Sequence, residues 1–138
     1  MATLKLSNFH DLTLVQEGRL EPERVRSLTL EALVDTGSVD MVLPEDVVEA
    51  LGLLEIGRLS VRLADGSRRV LPKVSGLLLE ILNRRAGSDA YVVPRGAPAL
   101  LGQIQLEALD VIVDPRSREI RVNPDSPDQQ SSYIYSAA

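Results

Sequence analysis

Cysteine and tryptophan are absent from this chain of 138 residues, and histidine occurs once, at His10. Without cysteine there is no disulfide, no thiolate nucleophile and no cysteine-ligated zinc or iron–sulfur centre. A single histidine near the N-terminus cannot assemble a metal site by itself, so His10 reads as a surface or structural residue. Aromatic residues make up only 3%, one Phe and three Tyr, which leaves an aliphatic core of Leu, Val, Ile and Ala. Positive charge is also in short supply. Fifteen Lys and Arg stand against 20 Asp and Glu, for a net charge of −5, and no basic stripe is interleaved with aromatics, which argues against a nucleic-acid partner. No stretch approaches the ~20 apolar residues of a membrane span. The opening MATLKLSNFHDLTL lacks the basic and continuous apolar regions of a leader. These absences point to a cytoplasmic location, with no membrane partner, no metal and no cofactor.

The length suits one core of modest size. Residues 1–123 read as a single domain, and from Pro124 the change to Pro, Ser, Gln and Asp reads as a flexible tail over 124–138. Loose alternation over Thr3 to Val15 predicts one or two strands. A polar connection containing Gly18 and Pro22 follows, and alternation resumes over Arg24 to Val34 as a strand. Pro44, the acids Glu45 and Asp46, and Gly52 bracket a helix over Pro44 to Leu51. Asp65-Gly66 lies between two alternating runs and predicts a β-hairpin with its tip at Ala64 to Ser67, because Gly and Asp tolerate the positive φ such a turn needs. NRRAGSDA reads as a second turn, YVVP as a short strand, Gln103 to Leu109 as a helix, and DVIVDPRSREIRVNP as a closing hairpin. With about eight short strands and one or two short helices, the expected class is mainly β.

One segment carries chemistry. In ALVDTGSV (Ala32 to Val39) an apolar strand runs into an acid, a hydroxyl and a glycine. Asp and Gly after a strand also make an ordinary turn. The context adds more: Asp35 stands at the margin of an aliphatic core in a chain with no thiol and one histidine. One carboxylate cannot both activate water and protonate a leaving amine. Two carboxyls roughly 3 Å apart cannot both ionise, so they share a proton and supply a base and an acid together. A two-fold dimer obtains that pair from one residue per chain.

ALVDTGSVDMVLP, then LADGS, then PALLGQIQLEAL together resemble the retropepsin-like aspartic proteases, and among them the small bacterial single-domain members. The resemblance spans about Val25 to Val122. It implies a closed β-barrel resembling one lobe of a pepsin, a homodimer, and hydrolysis of an extended peptide or protein substrate. It makes Asp35 the catalytic acid and base. Thr36 would bridge the two catalytic loops, and Gly37 would admit the substrate backbone. The Ser38 hydroxyl would donate to the outer oxygen of Asp35, which would favour an acidic working range. Val39, Met41, Val42 and Leu100 would line side-chain pockets, Leu101 and Gly102 would join them in binding substrate while continuing the element beneath the loop, and Ala64, Asp65, Gly66 and Ser67 would bind it as the flap tip.

The sequence departs from retroviral members at two linked positions. An acid common two residues after the glycine is Val39 here, and the arginine that pairs with it is Gln103. Other contacts must then hold the dimer. The flap, with Asp65, Arg68 and Arg69, is more polar than a glycine-rich tip. Two other readings stay open: a catalytically silent dimerisation or peptide-binding module of the same fold, and an unrelated small β-barrel in which Asp35 only makes a turn. Tyr133, Ile134 and Tyr135 form an apolar cluster in the tail, either a docking or self-cleavage segment or a frayed end.

Overall fold

Alternation of apolar and polar residues makes the first segment a half-buried strand. In the computed structural model, which describes residues 1–132, β1 (Ala2–Asn8) buries Ala2, Leu4 and Leu6 and leaves Thr3 and Lys5 outside. The strand does not extend to Val15 as its alternation suggests. The Asn8 side chain accepts from the Asp11 N–H at 3.0 Å and starts helix α1 (Phe9–Gln16), because an Asn cap satisfies a donor that the helix cannot pair internally. Asp11 is buried and accepts the backbone N–H of Arg26 and two of its guanidinium N–H groups at 2.8 to 2.9 Å. The guanidinium holds the Asp11 carboxyl below its usual range. A 3-10 turn at Pro22–Arg24 delays β2, which spans Ser27–Val34 and does not begin at Arg24.

The remaining elements are β3 (Val42–Pro44), α2 (Glu45–Leu51), β4 (Leu54–Arg62), β5 (Arg68–Ile81), β6 (Arg84–Val93), β7 (Leu100–Leu101), α3 (Gln103–Leu109), β8 (Val111–Val113) and β9 (Ile120–Val122). Mainly β is the class observed, with three helices among the described residues where the sequence led us to expect one or two. Pro44 is the N-cap of α2, and Gly52 ends that helix in the left-handed region at φ 63°. The β4–β5 hairpin turns at the expected place: Leu63 N–H donates to the Ser67 carbonyl at 2.8 Å and Gly66, at φ 86°, donates to Leu63 at 2.9 Å. The second turn is shorter than expected. Leu82 and Asn83 alone make it, both at positive φ, the twist that a tight hairpin needs. The following RRAGSDA is therefore strand.

Seven strands form one sheet in the order β1-β2-β7-β3-β6-β5-β4, and β1 also pairs with β5, while β8 and β9 make a separate pair. The core is aliphatic, as composition requires: Leu4, Leu6, Met41, Leu43, Leu51, Leu77, Leu79, Leu101 and Leu109 are fully buried. Burying one such side chain stabilises the fold by about 2 kcal/mol.

The tail from Pro124 is attached over its described part. Buried Arg84 pairs with Asp110 at 2.9 Å and donates to the Ser126 carbonyl. Gln130 bridges the backbone of Arg85 and the Ala108 carbonyl. Asp110 also accepts from the Ser126 hydroxyl, from Asn123 at 2.9 Å and from the Ser131 N–H at 2.9 Å. These donors, Ser126 foremost, lower its carboxyl to about 2. The Tyr133, Ile134 and Tyr135 cluster lies outside the described residues.

Candidate active site

Strand β2 delivers Asp35 because β7 inserts beside it. The two pair in parallel, Leu33 with Leu100 and Val34 with Leu101. Leu33 N–H donates to Ala99 at 2.9 Å and Asp35 N–H to Leu101 at 3.1 Å. The chain then turns on itself: Ser38 N–H donates to the Asp35 carbonyl at 3.1 Å, and Gly37 N–H donates to Asp35 Oδ1 at 2.9 Å. The start of α3 completes the support. N–H groups in a first helical turn have no partner inside the helix, and those of Gln103 and Ile104 donate to the carbonyls of Ser38 and Val39 at 2.8 and 3.0 Å.

Gly102 makes this contact sterically feasible. A Cβ there would stand 2.5 to 2.8 Å from backbone atoms of Asp40. A Cβ on Gly37 would stand 3.2 Å from Asp35 Oδ1, close against the carboxylate. Asp35, Thr36 and Gly37 are exposed. Leu33, Val39 and Ile104, on the same three segments, are 40%, 68% and 50% exposed, so the acid stands amid apolar surface.

The loop's downstream end is held by a polar cluster that the sequence reading missed. Asp40 Oδ1 accepts from Met41 N–H and Gln105 Nε2, both at 2.8 Å, and Oδ2 lies 3.8 Å from Lys73 Nζ. Gln105 also donates to Ser88 at 3.1 Å, while its buried Oε1 has no partner among the described residues. Lys73 in turn lies over the Tyr91 ring, 5.2 Å from its centroid. Gln105 carries no signal in sequence, being a polar residue on a short helix like Gln103. A cavity of about 470 Å³ flanks this cluster, lined in part by Phe9, Asp40, Lys73, Ser88 and Gln105. Asp35 is not among the residues that line it.

Three expectations change. The Ser38 hydroxyl donates to the Asp40 carbonyl at 2.9 Å and not to Asp35, whose Oδ1 is met by Gly37 instead, so the argument from Ser38 for an acidic working range loses its basis. Met41 is fully buried in the core and offers no surface to a peptide. Leu101 and Gly102 are likewise buried and act as the floor beneath the loop. Val39 is exposed and Val42 and Leu100 are half-buried, while Ala64, Asp65, Gly66 and Ser67 form the exposed tip of the β4–β5 hairpin. Among the described residues no three His, Asp or Glu side chains converge as a metal-binding set, and no helix is long and apolar enough to cross a membrane.

A β-rich chain whose strand ends in an Asp-Thr-Gly loop, braced by an apolar-apolar-Gly element that leads into a helix, has a retropepsin-like fold. The overall structure is similar to the crystal structure of the retroviral protease-like domain of Ddi1 from Leishmania major, with a TM-score of 0.55 and 12% identity over 90% of this chain and 89% of that one. The chain belongs to the aspartyl protease family, whose sequence model it matches over residues 22–115. No curated protein matches it.

Proposed function

We propose that this protein is a homodimeric aspartic endopeptidase in which two Asp35 carboxyls, one per copy, share a proton and activate water between them. The observation that carries this reading is the position of Asp35: exposed at the end of β2, rigidly braced by β7 and α3, and surrounded by exposed Leu33, Val39 and Ile104. A lone carboxylate on an open surface cannot be acid and base at once. A second copy related by a two-fold axis brings the other carboxyl and covers the apolar rim. The pairing of β1 with both β2 and β5 supports the reading of each copy as a closed barrel.

In this mechanism the ionised Asp35 takes a proton from water as the water oxygen adds to the scissile carbonyl carbon. The protonated Asp35 of the second copy gives its proton to the carbonyl oxygen. The tetrahedral adduct then collapses: the C–N bond breaks, one hydroxyl proton returns to a carboxylate, and the other carboxyl protonates the leaving amine, which restores the singly protonated pair. Thr36 joins the two loops across the axis. Gly37 leaves room for substrate backbone, and an extended peptide lies between the pair and the flap at Ala64 to Ser67, adding strand-like hydrogen bonds. Val39, Val42 and Leu100 supply apolar pocket surface.

The second reading, a catalytically silent dimerisation or peptide-binding module, draws on Val39 and Gln103, which leave no ion pair between loop and helix. Backbone hydrogen bonds from Gln103 and Ile104 join the same segments here, so that loss need not loosen the loop. Mixing decides between the two. With wild-type protein held fixed, a growing excess of Asp35→Asn should drive peptide cleavage toward zero as mixed dimers with a single ionisable acid form. A rate unchanged by excess folded mutant would contradict the shared pair, and a folded wild type that cleaves nothing would favour the silent module.

A further inference from the structure

The β4–β5 hairpin carries charge opposite in sign to the rest of the molecule. Leu54 to Lys73 holds five cations and two acids, a net of +3 in a chain of net −5, so the remainder sums to −8. Two of the cations are matched, Arg58 by Glu55 at 3.5 Å and Lys73 by Asp40 at 3.8 Å. Arg62, Arg68 and Arg69 have no carboxylate oxygen within 4.0 Å among the described residues. Asp65 lies between them in sequence, yet its Oδ1 is engaged by the Ser67 N–H and hydroxyl and serves the turn.

Register sharpens the point. Arg62 and Arg68 stand directly opposite each other across the antiparallel pair, one step from the turn. Like charges at opposed positions destabilise a strand pair, and an anion lying between them removes that repulsion. Arg69 is on the other face of the hairpin, opposite Val61 and in line with Leu71 and Lys73. On that face Lys73, nearer the base of the hairpin, reaches Asp40 at the downstream end of the Asp35 loop, and Val61 and Leu71 are half-buried. The three guanidiniums therefore flank the tip on both faces, with Arg69 on the face it shares with Lys73. The Ser67 hydrogen bonds lower the Asp65 carboxyl most, and Arg69 is close enough to help lower it.

We infer that this hairpin selects acidic peptides, binding Asp or Glu side chains in the substrate residues that lie beneath and beside its tip through Arg62, Arg68 and Arg69. The inference rests on the protease reading of the Asp35 loop for the position of the substrate. A guanidinium offers a planar fork of donors matched to a carboxylate, and the net charge of −8 on the remainder of the molecule disfavours an acidic segment elsewhere.

The test uses one apolar core peptide flanked by Glu, by Gln or by Lys. The Glu peptide should show a kcat/KM about tenfold above the Gln peptide at about 50 mM salt, chiefly through KM, with the advantage shrinking toward about 500 mM as charges are screened. The triple variant R62E/R68E/R69E should reverse the order and prefer the Lys peptide, an outcome that only a folded enzyme can give. A second readout is independent of chemistry: anisotropy of the same labelled peptides on Asp35→Asn protein should show the same salt-dependent order. Equal cleavage of Glu and Gln peptides would overturn the inference and leave the protease reading intact. Salt-dependent Glu-peptide binding with no cleavage by wild type would do the reverse, and absence of both would overturn both.

Discussion

Two stretches of this chain have the same form, an apolar strand end followed within a few residues by glycine, and they lie side by side as β2 and β7. At Leu33 to Gly37 the glycine sits beside an exposed acid, with a hypothetical Cβ 3.2 Å from its Oδ1. At Leu100 to Gly102 the glycine is buried, and a Cβ would run into the Asp40 backbone at 2.5 Å. The first loop leaves its acid exposed, while the second buries Leu101 and Gly102 in bracing the first. Position in the candidate site is thus created by a segment that contributes no reactive atom.

The most direct way to break this comparison is to make the same substitution in both loops. Gly102→Ala should destabilise the fold by about 3 kcal/mol, because backbone and not a flexible side chain must move. Gly37→Ala should cost under about 1 kcal/mol of stability, since the site is exposed, yet should abolish cleavage by crowding the carboxylate. Denaturant titration and peptide hydrolysis read the two effects, and equal stability losses would contradict the division of labour. Thr36→Val should come next, weakening dimerisation by about tenfold, the scale of one or two lost hydrogen bonds, without lowering the stability of one chain; sedimentation across a dilution series measures it. Gln105→Met should cost about 1 kcal/mol by removing a donor from Asp40, small because Met41 and Lys73 still serve that carboxylate.

The gentlest perturbation is pH. Asp110 is lowered from 3.8 to about 2 in the folded chain. Because its folded value lies below its unfolded one, its stabilisation is complete above about pH 4 and is lost as pH falls toward about 2. Thermal unfolding should therefore show a drop in Tm across that window that is reduced in Asp110→Asn. An identical acid response in both proteins would remove Asp110 from the account.

The parts of the fold legible in sequence were those with local causes. The Asp65-Gly66 hairpin and the Pro44 to Gly52 helix each rest on a turn residue or cap within their own segment. Helix α1 was masked because Leu4 and Leu6 set up an alternation that LTL resumes further on, while the Asn8 cap that breaks it is a single residue. The tail's attachment was invisible for another reason: Ser126 and Gln130 are held by Arg84, Arg85 and Asp110, more than a dozen residues away. At the site, Asp35 was legible from its motif, whereas the roles of Ser38, Met41 and Gly102 depend on β7 and α3 passing under the loop. Lys73, Ser88 and Gln105 meet Asp40 only through that same crossing.

The measurement that tests the central claim most directly is the initial rate of cleavage of one peptide against protein concentration, for wild type and Asp35→Asn. The account predicts a wild-type rate that climbs with the square of concentration at high dilution and becomes linear as dimers saturate, with no cleavage by a mutant that unfolds at the same denaturant midpoint. Cleavage that persists in Asp35→Asn, or that stays linear while sedimentation reports a single chain, would contradict it.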